Sequence, residues 1–273
     1  MKSAINIPFK SSSKSPVDLL IEIGDFGFTL LWTSNQLATI DGFAVYVFEE
    51  NDNQKERIES ILNSSQIKGV DFNSVKIRYN YSASLLVPEK HFQASLNEQM
   101  LSLVYGKNEE GEINNDVVAL KNIHNIYRVP TSINHLLATT FSTSTSLHST
   151  SLQINHQIAD SSLYCIVFHE SIKVIVYHEG KLQLVQQFKY QVPNDVVYHL
   201  LNVCQQHQLN PSIISCRLSG MIVKESNLFE ALYNCFLDIS FMDTKELKYA
   251  SEEFNELPSH FFSHLIELAT CEL

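Results

Sequence analysis

Four groupings along the chain have residue types and spacings that could do chemistry. His260 and His264 stand four apart on a predicted helix, with Glu267 nearly a turn further along. That spacing puts all three on one face, as a divalent metal requires. The HExxH general base is missing and Phe261 and Phe262 lie between the histidines, so a half-buried amphipathic helix end accounts for the same residues. Cys204 and His207 share a helix face, but no third group orients the imidazole toward a thiolate. Ser219-Gly220 lacks the preceding glycine of a nucleophile elbow. His148, inside a Ser/Thr tract, suits a backbone hydrogen bond. None of the four rises above the packing explanation, so no catalytic residue and no metal ligand is assigned.

The elements that would position such groups come in a repeated order. Residues 17–48 hold three β-rich runs, VDLLIEI, FGFTLLWTS and LATIDGFAVYVF, with a turn at Asn35-Gln36. Residues 162–190 hold SLYCIVF, IKVIVYHE and LQLVQQFKY, with a turn at Gly180. Leu19 to Leu37 and Tyr164 to Leu182 are equally long, so the two hairpins are expected to superpose without a gap. After the first set, 52–63 spaces Ile58, Ile61 and Leu62 as one helical face, and 75–81 alternates as a strand. Residues 84–88 are a short strand. Residues 91–106 are a helix facing inward through Phe92, Leu96, Met100, Leu103 and Val104. Residues 107–116 are an exposed acidic loop, followed by strands at 117–123 and 125–130 and a helix after Pro130. For the tract at 142–151, a linker and a short strand with a turn are equally supported. After the second set, a helix over 194–209, a strand at 213–220, a helix at 225–236 with Leu228, Leu232 and Phe236 inward, a strand at 236–243 and a helix over 259–271 complete the chain.

Composition narrows the class. The 273 residues, 44% hydrophobic and 18% charged, support two modest cores. A formal charge of −11 disfavours nucleic acid and anionic membrane surfaces. No apolar run reaches the roughly 20 residues of a membrane span. The N-terminal segment has no secretory pattern. Five cysteines at irregular spacing (Cys165, Cys204, Cys216, Cys235 and Cys271) read as buried free thiols in a reducing cytoplasm. The expected organisation is a flexible tail over 1–15, a first lobe over 16–158 with strands and a helix inserted around 84–130, and a second lobe over 159–273.

Strand-strand-strand-helix-strand-helix-strand, used twice, resembles the actin-like, ribonuclease-H-like fold: an α/β duplication in which each lobe has a mixed sheet flanked by helices. The second copy, with Phe188, Tyr190, Asp195, Tyr198, Leu209, Gly220 and the terminal Cys271-Glu272, is similar to an uncharacterised Bacteroidetes family of that fold. The resemblance implies a bacterial cytoplasmic protein and brings no activity.

Actin-like proteins hold Mg-ATP between their lobes, on backbone N–H groups of each first hairpin and an Asp at the strand end. The equivalent stretch here is Glu22-Ile23-Gly24-Asp25-Phe26-Gly27, where Glu22 is long and Phe26 and Phe28 are bulky. By the equal hairpin lengths Glu22 corresponds to Val167 and Gly24 to His169, with Glu170 adjacent, and the adenosine turn is reduced to Ser219-Gly220-Met221. The expectation is a non-enzymatic scaffold or protein-interaction module that takes no cofactor and engages a protein partner through the strands near 117–130 or the cleft. Whether it is a monomer or a homodimer is left open. The alternative is an ATP-binding enzyme using Glu22 and Asp25 for magnesium and Gly24, Gly27 and Gly220 for close backbone approach. A nuclease of ribonuclease-H type would need three or four converging carboxylates, and only Glu22 is well placed.

Overall fold

The β-branched and aromatic runs of residues 17–48 form consecutive antiparallel ladders. β2 (Val17–Gly24) pairs β3 (Gly27–Ser34), and β3 pairs β4 (Thr39–Val47). The structure is a computed structural model of the 273-residue chain, and it describes residues 2–9, 16–34, 39–49, 53–155, 158, 160–242 and 247–270. The Asn35-Gln36 turn and Cys271-Glu272 lie outside the described residues.

Two units make up the chain. The first comprises Met1–Asn155, Glu246–Phe254 and Glu267–Leu273; the second comprises His156–Lys245 and Asn255–Ile266. The expected second lobe ran unbroken from 159 to 273, whereas two C-terminal stretches group with the first unit.

In the first unit β1 (Lys2–Ile7) covers the outer edge of β4, and β15 (Lys248–Tyr249) pairs β4 in parallel. This corrects the expected flexible tail for residues 2–9. Ile7 and Phe9 are buried on alternate positions, and the Phe9 ring stacks on Trp32. Beyond β2 the sheet continues in parallel through β5 (Phe72–Asn80) and β9 (Thr145–His148). α1 (Gln54–Leu62), capped by Asn53, and α3 (Thr131–Thr140) cover one face of this sheet. Their Ile58, Ile61, Leu62, Ile133 and Leu137 pack on Leu19, Ile21, Ile23, Leu30 and Trp32. The Ser/Thr tract holds both β9 and the short helix α4 (Ser149–Gln153).

A separate three-stranded sheet has β8 (Ile123–Pro130) between β6 (Ser84–Pro88) and β7 (Gly111–Val118). Three expectations change here. Residues 111–116 of the predicted acidic loop belong to strand β7. The predicted strand at 117–123 is the end of β7 followed by a 3-10 turn at Ala119–Lys121. The 91–106 helix shortens to α2 (Asn97–Tyr105), which docks through Leu101 and leaves Leu103 86% exposed.

The second unit has the strand order β12-β11-β10-β13-β14, from β10 (Ser162–Val167), β11 (Ser171–His178), β12 (Lys181–Lys189), β13 (Ser215–Gly220) and β14 (Ile239–Phe241). This matches the order β4-β3-β2-β5-β9 of the first. α5 (Pro193–Gln206) and α6 (Asn227–Tyr233) bury Val196, Leu200, Val203, Cys204, Leu228 and Leu232 against Leu163, Cys165, Val174 and Leu218. The predicted helix over 259–271 is a 3-10 turn, Ser259–Phe261, and α7 (Ser263–Thr270).

The hairpins match with a shift. Ile23 pairs Phe28 and Val167 pairs Ile172, each pair closing four residues. Glu22 therefore corresponds to Ile166 and Gly24 to Phe168, one residue from the predicted match. The second turns differ in length, because Ser34 to Thr39 spans four residues where His178 to Lys181 spans the two-residue turn Glu179-Gly180. Glu179 and Gly180 both have positive φ, the geometry of a tight hairpin.

Candidate functional site

In the first unit the predicted nucleotide residues lie where β2 and β5 end. Glu22 is 4% exposed and sits inside the sheet, level with Thr29 on β3 and with the buried Arg78 on β5. On that same face Lys76 donates to the Ala269 carbonyl at 2.6 Å and Arg78 Nε to the Leu268 carbonyl at 2.9 Å, both on α7. Gly24 pairs Asn80 in the final rung, and a Cβ there would overlap the Asn80 carbonyl. Asp25 has its carboxylate engaged, with Oδ2 accepting the Ser82 N–H at 2.7 Å. Its carbonyl accepts from Gln54 Nε2 at 3.1 Å. Burial raises the Tyr81 and Tyr105 phenols, and the Asp25 charge adds to both. Gly27 opens β3, and a Cβ would stand 3.1 Å from the Tyr46 carbonyl.

In the second unit the matching row across the sheet is Lys173, Ile166 and Ser219. Gly220 ends β13 at φ +82°, opposite Val167, and a Cβ there would overlap the Val167 carbonyl. Ser219 is fully buried; its hydroxyl meets Ser263 Oγ at 2.7 Å and His264 Nδ1 at 3.2 Å. Burial lowers His264 to about 3, with Lys173 adding to the effect, so its imidazole is neutral. A serine beside a neutral histidine has the types for nucleophilic chemistry, but at zero exposure it offers no approach to substrate.

The other candidates separate. His260 Nε2 meets the Ile222 carbonyl at 2.5 Å and its ring stacks on Phe241, while His264 turns to Ser219, so the pair does not converge. Among the described residues no group of three or more His, Cys, Asp or Glu could hold a metal ion. Cys204 is buried, with its thiol pushed up to about 11 by desolvation, the opposite of an activated nucleophile. His148 caps α4: Nδ1 accepts the Thr150 N–H at 3.2 Å and Nε2 meets the Tyr81 carbonyl at 3.0 Å.

One functional-looking residue was missed. Asp116, expected in a solvated acidic loop, is buried and accepts from the His148 N–H at 2.8 Å, Ser151 Oγ at 2.7 Å and Tyr127 Oη at 3.1 Å. Within that loop Ile113 is the one apolar residue that signals a strand, and the acidic and amide residues around it mask the signal. A groove of about 720 Å³ also opens in the first unit between α1 and α3, floored by Leu62, Phe72, Val75 and Leu136 and rimmed by Lys55, Glu59, Lys68 and His135. None of the predicted site residues lines it.

Residues 7–239 match the family described as "Protein of unknown function (DUF3822)". The chain belongs to this family. Among solved structures, this DUF3822 member is similar to a Bacteroides thetaiotaomicron protein with an actin-like ATPase fold and unknown function. That match has TM-score 0.75 at 17% identity, covering 97% of this chain and 99% of the other. It is also similar to the PilM-PilN type IV pilus biogenesis complex, with TM-score 0.57 at 11% identity over 93% and 97% of the two chains. A third likeness is the ethanolamine utilization protein EutJ from Carboxydothermus hydrogenoformans, with TM-score 0.51 at 8% identity over 94% and 90%. No curated protein matches the sequence. The DUF3822 member thus has the actin-like fold. Among its described residues no helix is long and apolar enough to cross a membrane.

Proposed function

We propose that this DUF3822 member is a protein-interaction module of actin-like fold that works without a nucleotide. One observation carries the reading: the groups that Mg-ATP would need are committed to internal contacts. Gly24 and Gly220 accommodate the carbonyls of neighbouring strands, and the Asp25 carboxylate caps a backbone N–H of its own unit. Glu22 lies within the sheet rather than at its rim, and its counterpart in the second unit is Ile166, which cannot hold a magnesium-bound water. These residues do not fit a magnesium-bound triphosphate.

The remaining parts of the reading follow from fold and composition. The shared strand order supports an internal duplication. Cys165, Cys204, Cys216 and Cys235 are free thiols, which suits a reducing cytoplasm, and the charge of −11 disfavours a nucleic-acid partner. A similar structure is that of a complex, PilM with PilN, and a protein partner is the corresponding expectation here. β8 is central and buried, so the docking surface expected at 117–130 narrows to Val117 and Leu120, with Leu103 and Val104 of α2 as further exposed apolar side chains.

Calorimetric titration of the full chain with Mg-ATP and Mg-ADP tests the reading. No saturable heat is expected up to millimolar nucleotide. A micromolar isotherm abolished by Glu22→Gln would overturn it.

A further inference from the structure

The three-stranded sheet meets the rest of the first unit along a seam whose two halves differ chemically. In one half, Tyr127 and Val129 of β8 enter the main core beside Tyr79, Ile133 and Leu137. In the other half the contacts are polar. Asp116 of β7 accepts from His148 N–H, Ser151 Oγ and Tyr127 Oη, and Asn125 Nδ2 donates to Ser151 Oγ at 2.9 Å. Asn125 and Ser151 are both fully buried, and Ser84 Oγ donates to Asn125 Oδ1 at 2.7 Å.

Opening an apolar seam exposes hydrocarbon with nothing gained in return. Opening a hydrogen-bonded seam exchanges protein partners for water, and each such bond is worth little net. A polar seam therefore parts more easily than an apolar one of equal area, yet it closes in only one geometry, because a mispaired buried polar group is costly.

We propose that Asp116 is a latch: it holds the Asn125 end of the three-stranded sheet against the segment Thr145–Gln153, and its release lets that end move about the Tyr127–Val129 half. The latched segment, β9 and α4, is the last of the first unit before the chain leaves it at Asn155. This inference goes beyond the proposed function and stands whether or not a nucleotide binds.

Burial pushes the Asp116 carboxyl above its ordinary 3.8, against the hydrogen bonds from His148, Ser151 and Tyr127 and the pull of Arg78. The titratable and charged groups facing it are Arg78 on β5, Tyr127 on β8 and His148 at the head of α4. A carboxyl raised in the closed state binds its proton better there than when open. The latch is therefore strongest below pH 3.8 and weakens as pH rises through the raised value.

Amide hydrogen exchange on the full chain between pH 4 and 7, corrected for intrinsic rates, tests this. Amides of residues 111–118, 123–127 and 145–151 are expected to share an opening that is easier than global unfolding. Asp116→Ala should speed that exchange at least tenfold while the β10–β14 amides change far less. Asp116→Asn retains an acceptor and should close normally but lose the pH dependence. The latch is ruled out if these amides exchange only through global unfolding in the wild type, or if Asp116→Asn keeps the pH dependence. Should Asp116→Ala not fold, the wild-type and Asn measurements decide alone.

Discussion

Each unit brings the final rung of a parallel strand pair so close that only glycine fits, but the glycine stands on opposite strands. In the first it is Gly24 on β2, against the Asn80 carbonyl of β5; in the second it is Gly220 on β13, against the Val167 carbonyl of β10. The feature the two units share is the close approach of two parallel strands, met by a glycine from either side. The polar rows differ as well: Thr29, Glu22 and Arg78 in one sheet, Lys173, Ile166 and Ser219 in the other.

The largest expected effect breaks the comparison most directly. Gly220→Ala meets both a positive φ and a carbonyl, and should cost on the order of 3 kcal/mol or more in denaturant unfolding. Gly24→Ala meets the carbonyl alone and should cost less. A Gly24→Ala protein of unchanged stability would show that the first unit's glycine is not there for packing. Acid gives the next contrast. The folded pKa of His264, about 3, lies below its ordinary 6.5, so its contribution is fully present above 6.5 and is lost as pH falls toward 3. At roughly 1.4 kcal/mol per pH unit the second unit should lose about 2 kcal/mol by pH 5, and His264→Gln should remove that slope. Asp116 in the first unit runs in the opposite sense, because its raised carboxyl favours the folded state more at low pH. Thermal melts across pH 4–7 read both. Asp25→Ala removes the acceptor for the Ser82 N–H and should cost about 1–2 kcal/mol by denaturant titration, with no analogue in the second unit. Leu103→Ser should shift stability by less than about 0.5 kcal/mol, since the side chain touches little.

Much of this fold was legible in the sequence. The hairpin strands stood out through their β-branched and aromatic content, and Leu228, Leu232 and Phe236 mark the inward face of α6 and the residues after it. Register was not legible, because periodicity identifies strands but not how many residues a turn consumes; hence Glu22 was matched to Val167 rather than Ile166. β1 hid behind lysines and serines although Ile5, Ile7 and Phe9 alternate. The face of α2 is only partly legible: Met100 packs inward as its spacing suggests, but Leu101 is the fully buried residue, while Leu103 and Val104 of the expected set face solvent. Of the candidate site, residue types were readable and their commitments were not. Whether Asp25 is free for magnesium depends on Ser82, 57 residues away, and whether Asp116 is solvated depends on α4.

The return of Glu246–Phe254 and Glu267–Leu273 to the first unit has a consequence for synthesis. Lys76 and Arg78 find carbonyl acceptors at Ala269 and Leu268, which are synthesised 193 and 190 residues after them. The part of the first unit before Asn155 is translated first yet cannot be completed until α7 has emerged, so a stop codon before Leu268 would strip an acceptor from the buried Arg78 guanidinium 190 positions upstream.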